Sequence, residues 1–222
     1  MSDVTFPVFD AVAQRQPALA HFAATGVVVL RCTSDWAESR ANVRSQVREA
    51  ACEFLAERYQ IPTQNVNIVS AAGMQPTCRI QLPAMPPKTF FLSISHEKGL
   101  SLVGFSENAR MGLDVLVSGE DFDFEEQQAV ARLYFDAKVA ADLANVRARR
   151  LIQHDLNQPL NHLDTYAKEF AFCWARLEAQ LKCHGLGICE FSEQREQALS
   201  NCKTYRLDLP SPYLGVCALQ IA

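Results

Sequence analysis

The sequence predicts an α+β protein of two pseudo-symmetric lobes, each a small antiparallel sheet packed on a long helix. Three observations predict it. Short β-branched, alternating runs are interspersed with long patterns of helical period. The two halves, residues 1–109 and 110–222, each read as strand, helix, then strands, in broadly similar order. Hydrophobic types make up 49% of 222 residues, enough to build a core without disulfides. The length itself allows one medium domain or two small ones.

In chain order, Thr25–Arg31 (TGVVVLR) is a β-branched run and reads as a buried strand. Asp35 and Glu38 form a capping-box-like pair ahead of a helix from about Trp36 to Tyr59. Val43, Val47, Ala50, Phe54 and Leu55 fall on one stripe of it, and Arg40, Arg44 and Arg48 form a row that reads as a solvated face. Prolines and glycine then punctuate the chain as far as Pro87, leaving room for short extended pieces such as Cys78–Leu82. Thr89–Ser95 and Leu100–Phe105 read as strands joined by the turn His96-Glu97-Lys98-Gly99, and Met111–Val117 as a third. A helical pattern covers about Asp123 to Val146, closed by Arg147, Arg149 and Arg150, whose charges suit a helix C-terminus. A polar stretch, Gln153–Asn161, leads to a strong helix from about His162 to Cys183, which Gly185 and Gly187 stop. Its core stripe is Leu163, Tyr166, Phe170, Trp174, Leu177 and Leu181. Ile188–Phe191, Thr204–Leu209 and Tyr213–Ile221 read as closing strands.

Composition excludes several classes. Lys plus Arg number 21 against 25 Asp plus Glu, a formal charge of −4, with a pI near 5.7. A generic nucleic-acid binder is more often basic. No apolar run approaches the ~18 residues of a membrane span. The acidic N-terminus, MSDVTFPVFD, lacks the pattern of a signal peptide, so a cytoplasmic location is expected. The eight cysteines, at 32, 52, 78, 173, 183, 189, 202 and 217, form no CxxC pair and no zinc framework. They read as reduced packing residues, with no base identifiably placed to activate any of them.

Three places could carry chemistry. Asp114 is a carboxylate inside the apolar strand MGLDVLV, sharing a face with Gly112 and Leu116; burying its charge requires a compensating cation or donors. Glu178 and Lys182 lie one turn apart on the edge of the Trp174 stripe. Ser95-His96 ends a strand at a tight turn. Each also has a structural reading: a salt-bridged aspartate, an ordinary i,i+4 pair and a hydrogen-bonded histidine. Together, two carboxylates, an imidazole and an ammonium are the inventory of a Mg²⁺-assisted reaction of a phosphate ester.

These residues resemble the paired signature of the two-lobed, single-chain 4′-phosphopantetheinyl transferases. That family carries F-x-x-S-H, then G-x-D-x-E, then W-x-x-K-E-x-x-x-K. Here they stand as Phe-Leu-Ser-Ile-Ser95-His96, with one residue more between Phe91 and Ser95 than that pattern has, Gly112-Leu-Asp114-Val-Leu116 and Trp174-Ala-Arg-Leu177-Glu178-Ala-Gln-Leu-Lys182, in the same order and at similar spacing along the chain. The resemblance implies an enzyme that moves the phosphopantetheine arm of coenzyme A onto a serine of an acyl or peptidyl carrier protein, releasing adenosine 3′,5′-bisphosphate. It implies a monomer with coenzyme A in the cleft between the lobes. It assigns Asp114 and Glu178 to Mg²⁺, His96 and Lys182 to the phosphates, with Ser95 beside them, and Arg44 to the 3′-phosphate. Glu178 would also help take the serine proton. Gly73-Met74-Gln75-Pro76 resembles the segment beside the adenine, which brings Gln75 and Pro76 into the expected cofactor site.

Four positions depart from the family pattern. Leu116 stands for its second acid, Leu177 for a lysine, Gln75 for a basic residue and Glu97 for a small hydroxyl residue. Arg79, Lys98 or Arg176 are candidates to replace the missing cations. Two other readings follow: a diverged relative that binds coenzyme A or carrier protein with little transfer, and an interaction module whose Asp114, Glu178 and Lys182 form only an internal ion network. Because carrier proteins are acidic, Arg132, Arg147, Arg149 and Arg150 are the expected docking residues.

Overall fold

The structure is a computed structural model that describes residues 5–35, 37–70, 74–117, 124–152 and 162–221. Trp36, Gly73, Asp123 and the stretch 153–161 lie outside the described residues, as do the side chains of Arg147, Arg149, Arg150 and Leu163. The fold is α+β, with six α-helices and two sheets among the described residues.

The first two strands, β1 (Thr5–Phe6) and β2 (Phe9–Asp10), are short and enter different sheets. Helix α1 (Arg15–Thr25) follows and ends where Gly26, at φ 70°, gives its amide to the Phe22 carbonyl. The expected strand start at Thr25 is therefore displaced, and β3 runs Val27–Thr33. Helix α2 (Arg40–Tyr59) starts later than expected. Its cap is Ser39, whose hydroxyl accepts the Asn42 amide, while Asp35 caps a preceding turn through the Ala37 amide. Beyond it come β4 (Val66–Val69), β5 (Thr77–Ile80), β6 (Lys88–Glu97), β7 (Leu100–Ser106) and β8 (Met111–Val117).

The helix expected from Asp123 to Val146 is two helices, α3 (Phe124–Tyr134) and α4 (Ala137–Ile152). Asp136 separates them, its carboxylate accepting the amides of Lys138 and Val139 as an N-cap. Helix α5 spans His162–His184 and α6 spans Glu193–Leu199, capped by Ser192. The chain before α6 is not the expected strand at 188–191. The Phe191 amide bonds to the Leu133 carbonyl, and the Arg195 guanidinium takes the carbonyls of Cys189 and Tyr134, so this backbone finds partners outside any ladder. Strands β9 (Cys202–Leu207) and β10 (Tyr213–Gln220) close the chain.

The larger sheet has the order β2-β3-β7-β6-β5-β4 and the smaller β1-β9-β10-β8. Neither is purely antiparallel as expected: β2 joins β3 in parallel, and β1 joins β9 in parallel. In both cases a short two-residue strand extends an otherwise antiparallel sheet at its edge. The layers are held by successive apolar clusters. Phe22 of α1 and Phe54 and Leu55 of α2 pack on Phe90, Leu92 and Phe105 of the larger sheet. The opposite face, through Val29, Leu100 and Leu102, meets Met111, Leu113 and Val115 of β8 in one continuous cluster.

Helix α5 has two faces. Tyr166, Phe170, Leu177 and Leu181 pack toward α3 and α4 through Ala131, Phe135 and Leu143. Ala175, Ala179 and Cys183, four residues apart, pack on Val216 and Ala218 of β10. These small residues bring the helix backbone down onto β8. A Cβ at Gly112 would overlap the Ala179 carbonyl oxygen and lie 2.6 Å from the Cys183 amide nitrogen. The glycine thus permits the close approach that such a residue allows in a strand. We expect Gly112→Ala to lower the free energy of unfolding by about 1–3 kcal/mol, because rigid backbone must move to admit the methyl group. Urea titration measures it, and an unchanged midpoint would contradict this packing.

Candidate functional site

Alternation along β8 sends Leu113 and Val115 into the inter-sheet core and turns Gly112, Asp114 and Leu116 toward α5. Asp114 is only 3% exposed. Its Oδ1 accepts hydrogen bonds from Ser95 Oγ at 3.0 Å and from Lys182 Nζ at 2.5 Å. Glu178, one turn before Lys182, reaches the same ammonium with Oε2 at 3.5 Å, and its Oε1 accepts from Trp174 Nε1 at 2.7 Å. Both carboxylates therefore converge on one cation. Asp114 Oδ2 is buried and has no hydrogen-bond partner.

Serines of β6 fasten the outer edge of β8. Ser93 Oγ accepts the Leu113 amide at 2.8 Å, and Ser95 Oγ accepts the Val115 amide at 3.3 Å. These hydroxyls satisfy buried amides that β10, on the other side, does not use. One of them also orients Asp114, so the sheet junction and the site are built from the same groups.

Next along β6, His96 Nδ1 lies 2.8 Å from Ser101 Oγ, its cross-strand neighbour on β7. Burial, reinforced by the cations of Arg44, Lys182, Arg40 and Arg48, lowers the His96 pKa from its ordinary 6.5. The imidazole is thereby favoured in its neutral form. Burial pushes the Asp114 carboxyl the other way, up to about 6; Lys182 opposes the shift and Glu178 adds to it.

A cavity of about 530 Å³ opens over these groups. Asp114, Glu178, Lys182, Ser95, His96 and Arg44 all line it. Arg40, one turn before Arg44 on α2, lines it too, so two of the three arginines in the row face the cavity; Arg48 donates to Ser70 Oγ instead. Gln75 and Pro76 are not among its lining residues. The Gln75 side chain donates through Nε2 to the Met111 carbonyl, and the Pro76 carbonyl accepts the Leu92 amide. Of the candidate replacement cations, Lys98 lines the cavity, whereas Arg79 and Arg176 do not. Leu177 points away, 5% exposed in the α3–α5 core, so a lysine at that position would have to leave an apolar layer to reach phosphate.

Leu116 and Glu97 border a second cavity of about 570 Å³, walled by Val130, Phe170, Ala171 and Trp174. Three contributors went unread in the sequence. Arg40 could have been found from its spacing to Arg44, and Ser101 from the hairpin register set by Gly99. Trp174 as a donor to Glu178 was hidden by its place in the apolar stripe.

Among the described residues no group of three or more His, Cys, Asp or Glu is arranged to hold a metal ion. Two converging carboxylates, one with an unpartnered buried oxygen, nonetheless fit a hard cation such as Mg²⁺, which commonly completes its octahedron with phosphate oxygens and water. No helix among the described residues is long and apolar enough to cross a membrane. No protein-family model matches the chain, and a search of curated proteins finds no significant match.

The raised Asp114 pKa has a sign that can be measured. The protonated carboxyl favours the fold, so its stabilising effect is complete below the ordinary 3.8 and is lost as pH rises through about 6. We expect wild-type stability, relative to Asp114→Asn, to decline from about pH 4 to about pH 7 in urea unfolding. A constant difference across that range would contradict the burial of this group.

Proposed function

We propose that the chain is a Mg²⁺-dependent 4′-phosphopantetheinyl transferase, moving the phosphopantetheine arm of coenzyme A to a serine hydroxyl of an acyl or peptidyl carrier protein. The observation that carries the reading is the convergence of Asp114 and Glu178 on Lys182 at the wall of a cavity also lined by His96, Arg40 and Arg44. A diphosphate ester needs such an arrangement: oxygen donors to hold a divalent cation, and fixed positive charge where the leaving phosphate gains charge.

In this reading Asp114 and Glu178 hold Mg²⁺, which when bound supplies charge neutralisation at the diphosphate. Lys182, held by both carboxylates, is positioned to turn to phosphate oxygens. Neutral His96 donates a hydrogen bond to phosphate, and the Arg40–Arg44 pair on α2 takes the nucleotide's remaining phosphate. Glu178, oriented by Trp174, accepts the serine proton directly or through water. The released product is adenosine 3′,5′-bisphosphate. The apolar second cavity adjoins at Leu116 and supports an extended, largely uncharged arm leaving the phosphate site. Exposed Arg132 remains a proposed contact for an acidic carrier.

One observation favours a second reading. Lys182 already neutralises both carboxylates, as an internal ion network or a coenzyme A-binding module without transfer would have it. Incubation with coenzyme A, Mg²⁺ and several apo carrier proteins separates these, read as a phosphopantetheine mass gain on the carrier. We expect wild type to label, and Asp114→Ala and Glu178→Gln each to reduce kcat/KM by at least about 100-fold while remaining folded by circular dichroism. Arg44→Ala should raise the KM for coenzyme A by about tenfold. Calorimetric binding of coenzyme A without labelling of any carrier would leave the binding module, and neither binding nor labelling would leave the ion network.

A further inference from the structure

Cys202 opens β9 beside the last turn of α5, where Cys183 and His184 are consecutive. The Cys202 sulfur lies 3.2 Å from Nε2 of His184. It packs against the buried cluster that contains Cys183, the residue next to His184. Cys183 is fully buried, and its Sγ lies 3.3 Å from the Arg110 carbonyl, to which it donates. A half-buried sulfur thus lies against an imidazole on one side and a buried cluster holding a second cysteine on the other.

Every other cysteine with a resolved shift is raised, Cys183 and Cys52 among them. Burial pushes the thiols of Cys32 and Cys173 up to about 11 and those of Cys78 and Cys217 up to about 12. Cys202 goes down, to about 6, drawn first by the hydrogen bond from Cys183 and then by His184. A thiolate held beside a positive or proton-donating partner is the reactive form of cysteine.

We propose that Cys202 is a peroxide-reactive thiol that closes a disulfide with Cys183, assisted by His184. The Cys202 thiolate attacks one oxygen of hydrogen peroxide, the O–O bond breaks, and the departing hydroxide takes a proton from His184 to leave as water. Cys202 is then a sulfenic acid. The Cys183 sulfur attacks it, the S–O bond breaks, and the second hydroxide leaves as water with the Cys183 proton. Two thiols have lost two electrons, and peroxide has become two waters. The bond ties β9 to the end of α5, directly after Lys182. This inference does not depend on the transferase reading.

The full-length reduced protein, treated with hydrogen peroxide and digested without reductant, tests it by mass spectrometry. A Cys183–Cys202 cross-linked peptide that dithiothreitol reverses is expected. In the untreated folded protein at about pH 6, iodoacetamide should alkylate Cys202 about tenfold faster than exposed Cys189. His184→Asn should slow that alkylation by about tenfold, and Cys183→Ala should leave a sulfenic acid at Cys202 that dimedone traps. Sulfinic acid at Cys202 without the cross-link, or alkylation of Cys189 ahead of Cys202, would overturn the proposal. The wild-type measurements decide even where a variant fails to fold.

Discussion

The approach of α5 to β8 at Gly112 is the constraint on which the rest of the site depends. Residues separated by more than sixty positions in sequence meet because Ala175, Ala179 and Cys183 present almost no bulk to the smaller sheet and Gly112 presents none. With the helix axis that close, residues flanking the small stripe reach the strand's inward-facing carboxylate. Lys182 does so at 2.5 Å and Glu178 sits one turn behind it. The large residues of the same helix stay available for α3 and α4, so one helix cements two layers without a conflict of size. This division of faces also accounts for Leu177. Its position is committed to the second layer.

A buried carboxylate costs several kcal/mol unless compensated, and here the compensation is incomplete by design of the geometry. Asp114 Oδ1 is shared between a hydroxyl and an ammonium, while Oδ2 has nothing. Replacing Lys182 with an apolar group would leave an ion with no cation in contact but its repelling neighbour Glu178. The cations of α2 act at longer range, adding to the burial that favours neutral His96 and setting positive charge on a cavity that Asp35, Glu38 and Glu97 also line. Net charge therefore says little about what this cavity accepts.

The α+β class and most elements were legible because their periods are strong. Met111–Val117 is recovered residue for residue, and the alternation that puts Asp114 opposite Leu113 and Val115 is seen in the packing. Boundaries set by side-chain caps were harder. Ser39 took the role expected of Asp35, and Asp136 divided a pattern whose apolar spacing continues across the break. Helices α1 and α6 were not legible in the sequence: α1 closes at Gly26 directly before a β-branched run, and α6 is only seven residues long and starts on a Ser192 cap. The convergence of Asp114, Glu178, Lys182, Ser95, His96 and Arg44 on one cavity follows from residue spacing plus fold. The turning of Gln75 to the Met111 carbonyl, and the imidazole beside Cys202, depend on tertiary neighbours that no local pattern encodes.

The route of residues 5–10 carries a further consequence. Phe6 pairs with Leu207 in the smaller sheet, and three residues later Phe9 pairs with Leu30 in the larger. Such a short strap stitches the rims of both sheets together, crossing the boundary near residue 109 that the repeating order of elements suggests. The larger sheet, β2 to β7, lies wholly before that boundary, whereas the smaller takes β1 from before it, so severing the polypeptide there would leave the second fragment without an edge strand. Melting should accordingly be a concerted event across the whole molecule rather than a sequence of two.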